Sequence, residues 1–291
     1  MKYLLQYMDD YAVVDTKGGE LISFCHQGIE HVWTGNSAYW NGHAPVLFPN
    51  IGVLKEDKTL LNGKEYSIPK HGVARKREFE VVDASETSIQ FVLRADEQTK
   101  AQYPFDFELR VVHKLEKNGF STEYIVTNKG REPMPFCLGG HAGFCCPMRP
   151  QETFDEYCLK FSQRENQPFH YTDEKGLFLK ETVSLLQEGS ILPLDYSIFS
   201  RDVLILDPVV SRRLELCHRQ TGKGIQFEFW GFSALGLWTP PKKQAPFLCL
   251  EPWNGLPATE DDSGAFVDKP YVQCLSAGGS YSAGYRMCVI E

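Results

Sequence analysis

The sequence predicts an all-β protein, a large antiparallel β sandwich, and three observations carry that expectation. Apolar and polar residues alternate along most of the chain, no long segment keeps a helical period, and Gly, Pro and Asn punctuate the apolar runs at short intervals. A chain of 291 residues suits either one large sandwich or two ordinary domains,. No linker, charge block or low-complexity run divides it, so residues 1–291 read as one domain.

The first strands predicted are Phe79 to Val82, Ser88 to Leu93, Phe105 to Leu115, Phe120 to Thr127 and Met134 to Leu138. Short polar turns join them, among them Lys117-Asn118-Gly119 and Asn128-Lys129-Gly130. Asn-Gly between alternating segments is a hairpin signal because both turn positions tolerate positive φ, and Leu61-Asn62-Gly63-Lys64 repeats it earlier. Later strands are expected at Val203 to Leu206, Leu214 to Cys217, Gly224 to Phe229, Ala234 to Trp238, Phe247 to Leu250 and Ser280 to Ile290. Only Asp173 to Leu186 and the stretch near Ala101 suggest helical turns.

A formal net charge of −8 argues against nucleic acid or an anionic membrane surface as partner, since either needs clustered Lys and Arg,. The nine cysteines are odd in number and form no C-x-x-C pair, the usage expected of free thiols in a reducing compartment,. Asp9 and Asp10 interrupt the N-terminus before any signal-like apolar run develops, and no later run approaches a membrane span,. A cytoplasmic protein is expected.

No phosphate-loop, dinucleotide or His-x-x-x-His spacing is present, which leaves the eight histidines as the main groups able to exchange a proton near neutral pH,. His71 lies in Pro69-Lys70-His71-Gly72, where a stiff approach and a glycine can present an imidazole to a ligand or simply form a surface turn,. His141 sits between glycines in Gly139-Gly140-His141-Ala142-Gly143, a setting for an uncrowded ligand or for a hydrogen-bonded core ring,. Glu251 follows the apolar run Phe247 to Leu250. A carboxylate there is costly unless paired or used, and desolvation raises its pKa toward a range useful for proton transfer. It fits a general acid/base or a structural ion pair. Trp253 could floor a sugar site or fill the core,. Asp202 could accept hydrogen bonds from sugar hydroxyls or cap a turn,. Cys145 and Cys146 invite a nucleophile reading, but no oxyanion arrangement accompanies them, and inert buried thiols are the expectation,.

These segments together resemble the aldose 1-epimerase, or galactose mutarotase-like, family, in its bacterial LacX-like branch. The likeness spans nearly the whole chain. It rests on Ala44-Pro45-Val46-Leu47-Phe48-Pro49 with Ile51-Gly52, on Asn62-Gly63-Lys64-Glu65-Tyr66, on Lys70-His71-Gly72-Val73-Ala74-Arg75, on Gly139-Gly140-His141 and on Leu250-Glu251-Pro252-Trp253-Asn254-Gly255. The resemblance implies a β supersandwich that binds a monosaccharide, an aldohexose, and interconverts its anomers without metal or organic cofactor, as monomer or homodimer. It further implies that Glu251 is the general base at the C1 hydroxyl, that His141 is the general acid at the ring oxygen, and that His71 and Asp202 bind the sugar. Two positions depart from the pattern. Val53 stands where relatives usually carry Arg, so Arg75 or Lys55 is expected to supply the missing cation. Ala142 replaces a common proline and predicts a looser loop after His141. A non-catalytic sugar-binding protein is the alternative on the same fold. A sugar-phosphate mutarotase is another, and it would need a cationic pocket near Arg75, Lys55 or Arg77.

Overall fold

The computed structural model describes residues 1–291. The alternation in the sequence becomes alternation in burial: along Gly119–Asn128 every second side chain is buried, and Phe107–Glu116 follows a similar rhythm. Asn118, with φ 49°, turns the chain between these two strands, and Asn62 with Gly63, both at positive φ, turn it between Lys58–Leu61 and Lys64–Ser67. Positive φ at both residues is what lets a two-residue loop match the twist of the strands it joins.

All the strand pairs are antiparallel, and the two largest sheets contain nine and eight strands. The nine-stranded sheet is centred on Ser280–Ile290, which pairs with Gly119–Asn128 on one side and Gly224–Trp230 on the other. The eight-stranded sheet is centred on Phe247–Asn254, whose eight residues are all buried. Lys2–Tyr7, Asp10–Asp15, Glu20–His26 and Ile29–Glu30 form a further four-stranded sheet.

The two large sheets meet through a core of 66 buried residues that extends from Leu5 to Met287. Phe144 packs edge-on against Phe227, with ring centroids 5.5 Å apart, and a side chain at Gly140 would meet Tyr124 and Tyr285. Successive side chains on a strand point to opposite faces. With Gly140, Ala142 and Phe144 turned toward that core, His141 points out of the other face of the eight-stranded sheet. Leu248 and Leu250 belong to the same core, which turns Cys249 and Glu251 to the outer face.

Two expectations are corrected here. Residues 173–186 are not helical: Phe178–Val183 is a strand paired with Phe169–Thr172, reached through a turn in which Gly176 has φ 84°. Pairing at the sheet edge overrides a weak local preference. Met134 to Leu138 is not one strand, because Met134–Phe136 pairs with Gln273–Leu275 in a small separate sheet, while Leu138–Gly140 joins the eight-stranded one. The helical turn expected near Ala101 is Glu97–Lys100, capped by the Asp96 carboxylate accepting from the Thr99 N–H at 2.7 Å. No helix is long and apolar enough to cross a membrane.

Candidate active site

Strand register brings the central pair together. Leu138 and Gly139 lie opposite Asn254 and Trp253, and Ala142 lies opposite Leu250. Continuing that register sets His141 opposite Glu251. Directly opposed residues on one face have Cβ atoms roughly 4.5–5.5 Å apart, so their side chains meet without any special loop. His141 Nε2 is 3.3 Å from Glu251 Oε1. On its other flank Glu251 faces Gly236, which contributes no side chain. Cβ atoms at Gly139 or Gly236 would each come within 2.7 Å of the Trp253 ring, so both glycines are needed for the indole to lie across the strand.

A cavity of about 240 Å³ opens over this pair, and His71, Arg75, His141, Asp202 and Glu251 all line it. His71 arrives on a loop pinned to the sheet: the Val73 N–H donates to Phe48 O at 2.8 Å, and a Cβ at Gly72 would collide with that same carbonyl. The loop and Gly52 hold each other reciprocally. The His71 N–H donates to Gly52 O at 2.9 Å, and the Gly52 N–H donates to His71 Nδ1 at 3.2 Å. Because Nδ1 accepts, the neutral ring carries its proton on Nε2. The ring stands edge-to-face on His141, with centroids 5.7 Å apart. Gly52 itself has φ 64° and its Cβ position touches Pro257, two reasons for glycine there.

Aromatic walls fix the rest. Trp40 stacks on His141 at 4.9 Å between centroids, and Trp238 meets the same ring edge-on at 5.5 Å. The Trp238 indole N–H donates to Asp202 Oδ1 at 2.5 Å, which ties the carboxylate to the cavity wall. Arg75 donates through Nη2 to Lys70 O at 3.2 Å, and its Nε is buried without a partner.

Burial dominates the electrostatics. It pushes the Glu251 carboxyl well above its ordinary range, with the Asp202 carboxylate adding to the effect. It pushes His141 down to about 3 and His71 well below the usual imidazole value, His141 adding to the latter shift. Each shift favours the uncharged form. Glu251 Oε1 and His141 Nδ1 make no hydrogen bond, and unpaired polar atoms in a buried site are costly unless something else satisfies them,.

The sequence model for aldose 1-epimerase matches residues 10–271. The chain belongs to the aldose 1-epimerase family. Among relatives of this family member, the plasmid-borne protein LacX of Lactococcus lactis subsp. lactis is 36% identical over 279 residues, covering 92% of this chain and 93% of the relative. A galactose mutarotase-like protein from Lactobacillus casei ATCC 334 superposes with a TM-score of 0.91 at 29% identity, over 100% of both chains. A galactose mutarotase related enzyme from Lactobacillus acidophilus gives the same score and identity, over 100% of this chain and 98% of the other. The expected fold class and the LacX-like resemblance are thereby established.

Several finer expectations for this aldose 1-epimerase family member change. Lys55 does not supply a cation to the cavity, since its Nζ donates to Glu260 O at 2.7 Å elsewhere. Arg77 is likewise held by Asp96 and Gln98 outside it. Arg75 and Lys70 are the cations that line it, and Lys70 was missed although it adjoins His71. Val53 packs beside Gly176 and offers nothing polar through its side chain. Ala142 does not loosen its segment, because it is locked in the ladder opposite Leu250. Burial pushes the Cys145 thiol up to about 12 and Cys146 well above its usual value, the opposite of an activated nucleophile,. Trp40 and Trp238 also went unrecognised, for nothing in their local sequence separates them from core tryptophans.

Proposed function

We propose that this protein is a mutarotase that interconverts the α and β anomers of a free aldohexose, with Glu251 as base and His141 as acid. The observation that carries the reading is the cross-strand opposition of these two groups, 3.3 Å apart on the floor of one cavity. The cavity is smaller than the roughly 300–1,000 Å³ of drug-sized sites, a scale suited to one sugar ring. Mutarotation needs one group that takes a proton and one that gives it, placed at O1 and O5. In the reactive state Glu251 is a carboxylate and His141 an imidazolium. Glu251 removes the O1 proton, C1=O1 forms, the C1–O5 bond breaks, and O5 receives the His141 proton.

The open-chain aldehyde then stands beside a neutral acid and a neutral imidazole, the protonation state that burial favours. Glu251, with its pKa raised, is a strong base as the anion, and His141, with its pKa lowered, is a strong acid as the cation. Rotation about C1–C2 and reclosure with the roles reversed gives the other anomer. The His71 Nε2–H donates to a sugar oxygen, Asp202 accepts from a hydroxyl, and the Trp40 and Trp238 rings cover the apolar side of the ring. Saturation-exchange NMR across a panel of aldohexoses tests the proposal. Acceleration of anomer exchange is expected for at least one of them. Calorimetric binding without acceleration would replace it with a non-catalytic sugar-binding role.

A second reading, a mutarotase of phosphorylated aldoses, is favoured by one observation: Lys70 and Arg75 both line the cavity, and Arg75 Nε lacks a partner. Turnover of free and phosphorylated sugars at equal kcat/KM would remove its support.

A further inference from the structure

Cys249 takes no part in the proposed chemistry, yet it lies on the same face of the strand as Glu251, two residues away. One ligand atom each from His141, Cys249 and Glu251 lies within 4.8 Å of the others, and all three residues are buried. We propose that these three side chains form a binding site for a thiophilic divalent cation of the zinc or cadmium type, and that its occupancy blocks the cavity.

A sulfur, an imidazole nitrogen and a carboxylate oxygen match the donor preferences of such ions, and two of the three ligands, His141 and Glu251, line the cavity, so an ion held by them occupies its floor,. Charge balance favours the ion specifically. All three side chains are buried, where a lone charge on any of them is costly,. A dication bound by one thiolate, one carboxylate and one neutral imidazole carries no net charge. Binding expels the protons of the Cys249 thiol and the Glu251 carboxyl to solvent, so it strengthens as pH rises. Lys70 and Arg75, on the wall of the same cavity, oppose the ion and weaken the site relative to an unopposed one. Magnesium, which prefers six oxygen ligands, does not compete.

Cation binding is independent of the mutarotase reading; only its inhibitory consequence rests on that reading. The experiment is titration with cadmium chloride, following the ultraviolet thiolate-to-metal charge-transfer band, in a Cys217→Ser, Cys274→Ser, Cys288→Ser background, because Cys274 and Cys288 reach the surface and Cys217 lies directly opposite Cys158. One saturable equivalent is expected. Cys249→Ala should abolish the band, His141→Asn should weaken the affinity at least tenfold, and excess magnesium should leave it unchanged. Anomer exchange in the parent should fall at least tenfold at saturation, while Cys249→Ala, which keeps the catalytic pair, should resist the same concentration. A parent without the band, or a band that survives in folded Cys249→Ala, overturns the site. Should Cys249→Ala fail to fold, the His141→Asn affinity decides: an unchanged value overturns the site. Should the protein turn over no sugar, the band and its dependence on Cys249 and His141 still decide it.

Discussion

His113 and His141 are both buried in the middle of large sheets, and burial lowers the pKa of each, to about 4 and about 3 respectively. What separates them is hydrogen bonding. In the nine-stranded sheet, His113 pairs through Nδ1 with the Thr122 hydroxyl at 3.0 Å and through Nε2 with Gly19 O at 2.9 Å. In the eight-stranded sheet, His141 leaves Nδ1 unpaired and faces the Glu251 carboxyl under an open cavity. A perturbed pKa therefore marks a buried ring, and what tells His141 from His113 is an unpaired nitrogen together with a carboxyl neighbour at a cavity,. His31 also has unpaired nitrogens but no carboxyl within 4.0 Å, so it has half of the signature.

The largest expected effect is at the carboxylate. Glu251→Gln keeps the shape of the side chain and should lower kcat/KM for anomer exchange by roughly 10² to 10⁴-fold, with no loss of thermal stability, by polarimetry and melting. The comparison next predicts a shared pH response. Four imidazoles, His31, His71, His113 and His141, are held neutral in the fold, so below the unfolded value of 6.5 the unfolded chain binds more protons and stability falls,. Glu251 has the opposite sign, since its folded pKa is raised: it favours the fold as pH drops toward the unfolded carboxyl value. Four outweigh one, and melting temperature should decline from pH 6.5 down to about 4. His113→Phe and His141→Phe should each make that decline shallower, although only the second changes turnover.

A smaller effect is expected at His113 itself. His113→Ala strands the Gly19 carbonyl and the Thr122 hydroxyl and should cost about 1–3 kcal/mol of stability by denaturant titration, with anomer exchange per folded molecule unaltered. Loss of exchange in that variant would erase the distinction between the two histidines. The smallest effect belongs to Cys145→Ser, whose exchange rate should match wild type in the same assay; a large drop would revive the thiol as a participant.

Much of this architecture is written locally. Strands such as Gly119–Asn128 and Gly224–Trp230 fall where alternation puts them, because sidedness of burial is a property of neighbouring residues. The edge strand Phe178–Val183 has no such signature and exists through its partner. The five site residues named from sequence line one cavity, but the opposition of His141 to Glu251 depends on register between strands distant in the chain. Trp40 and Trp238 belong to the cavity only through tertiary placement, which no nearby residue encodes, whereas Lys70 could have been read from its place beside His71.

The clamp between His71 and Gly52, with the Val73 N–H donating to Phe48 O, holds the whole loop from Lys70 to Arg75 against the sheet, so the two cations of the cavity wall ride on the same segment as His71. Whoever exchanges either cation must therefore keep Gly52 and Gly72, because the loop that carries Lys70 and Arg75 also carries the imidazole between them.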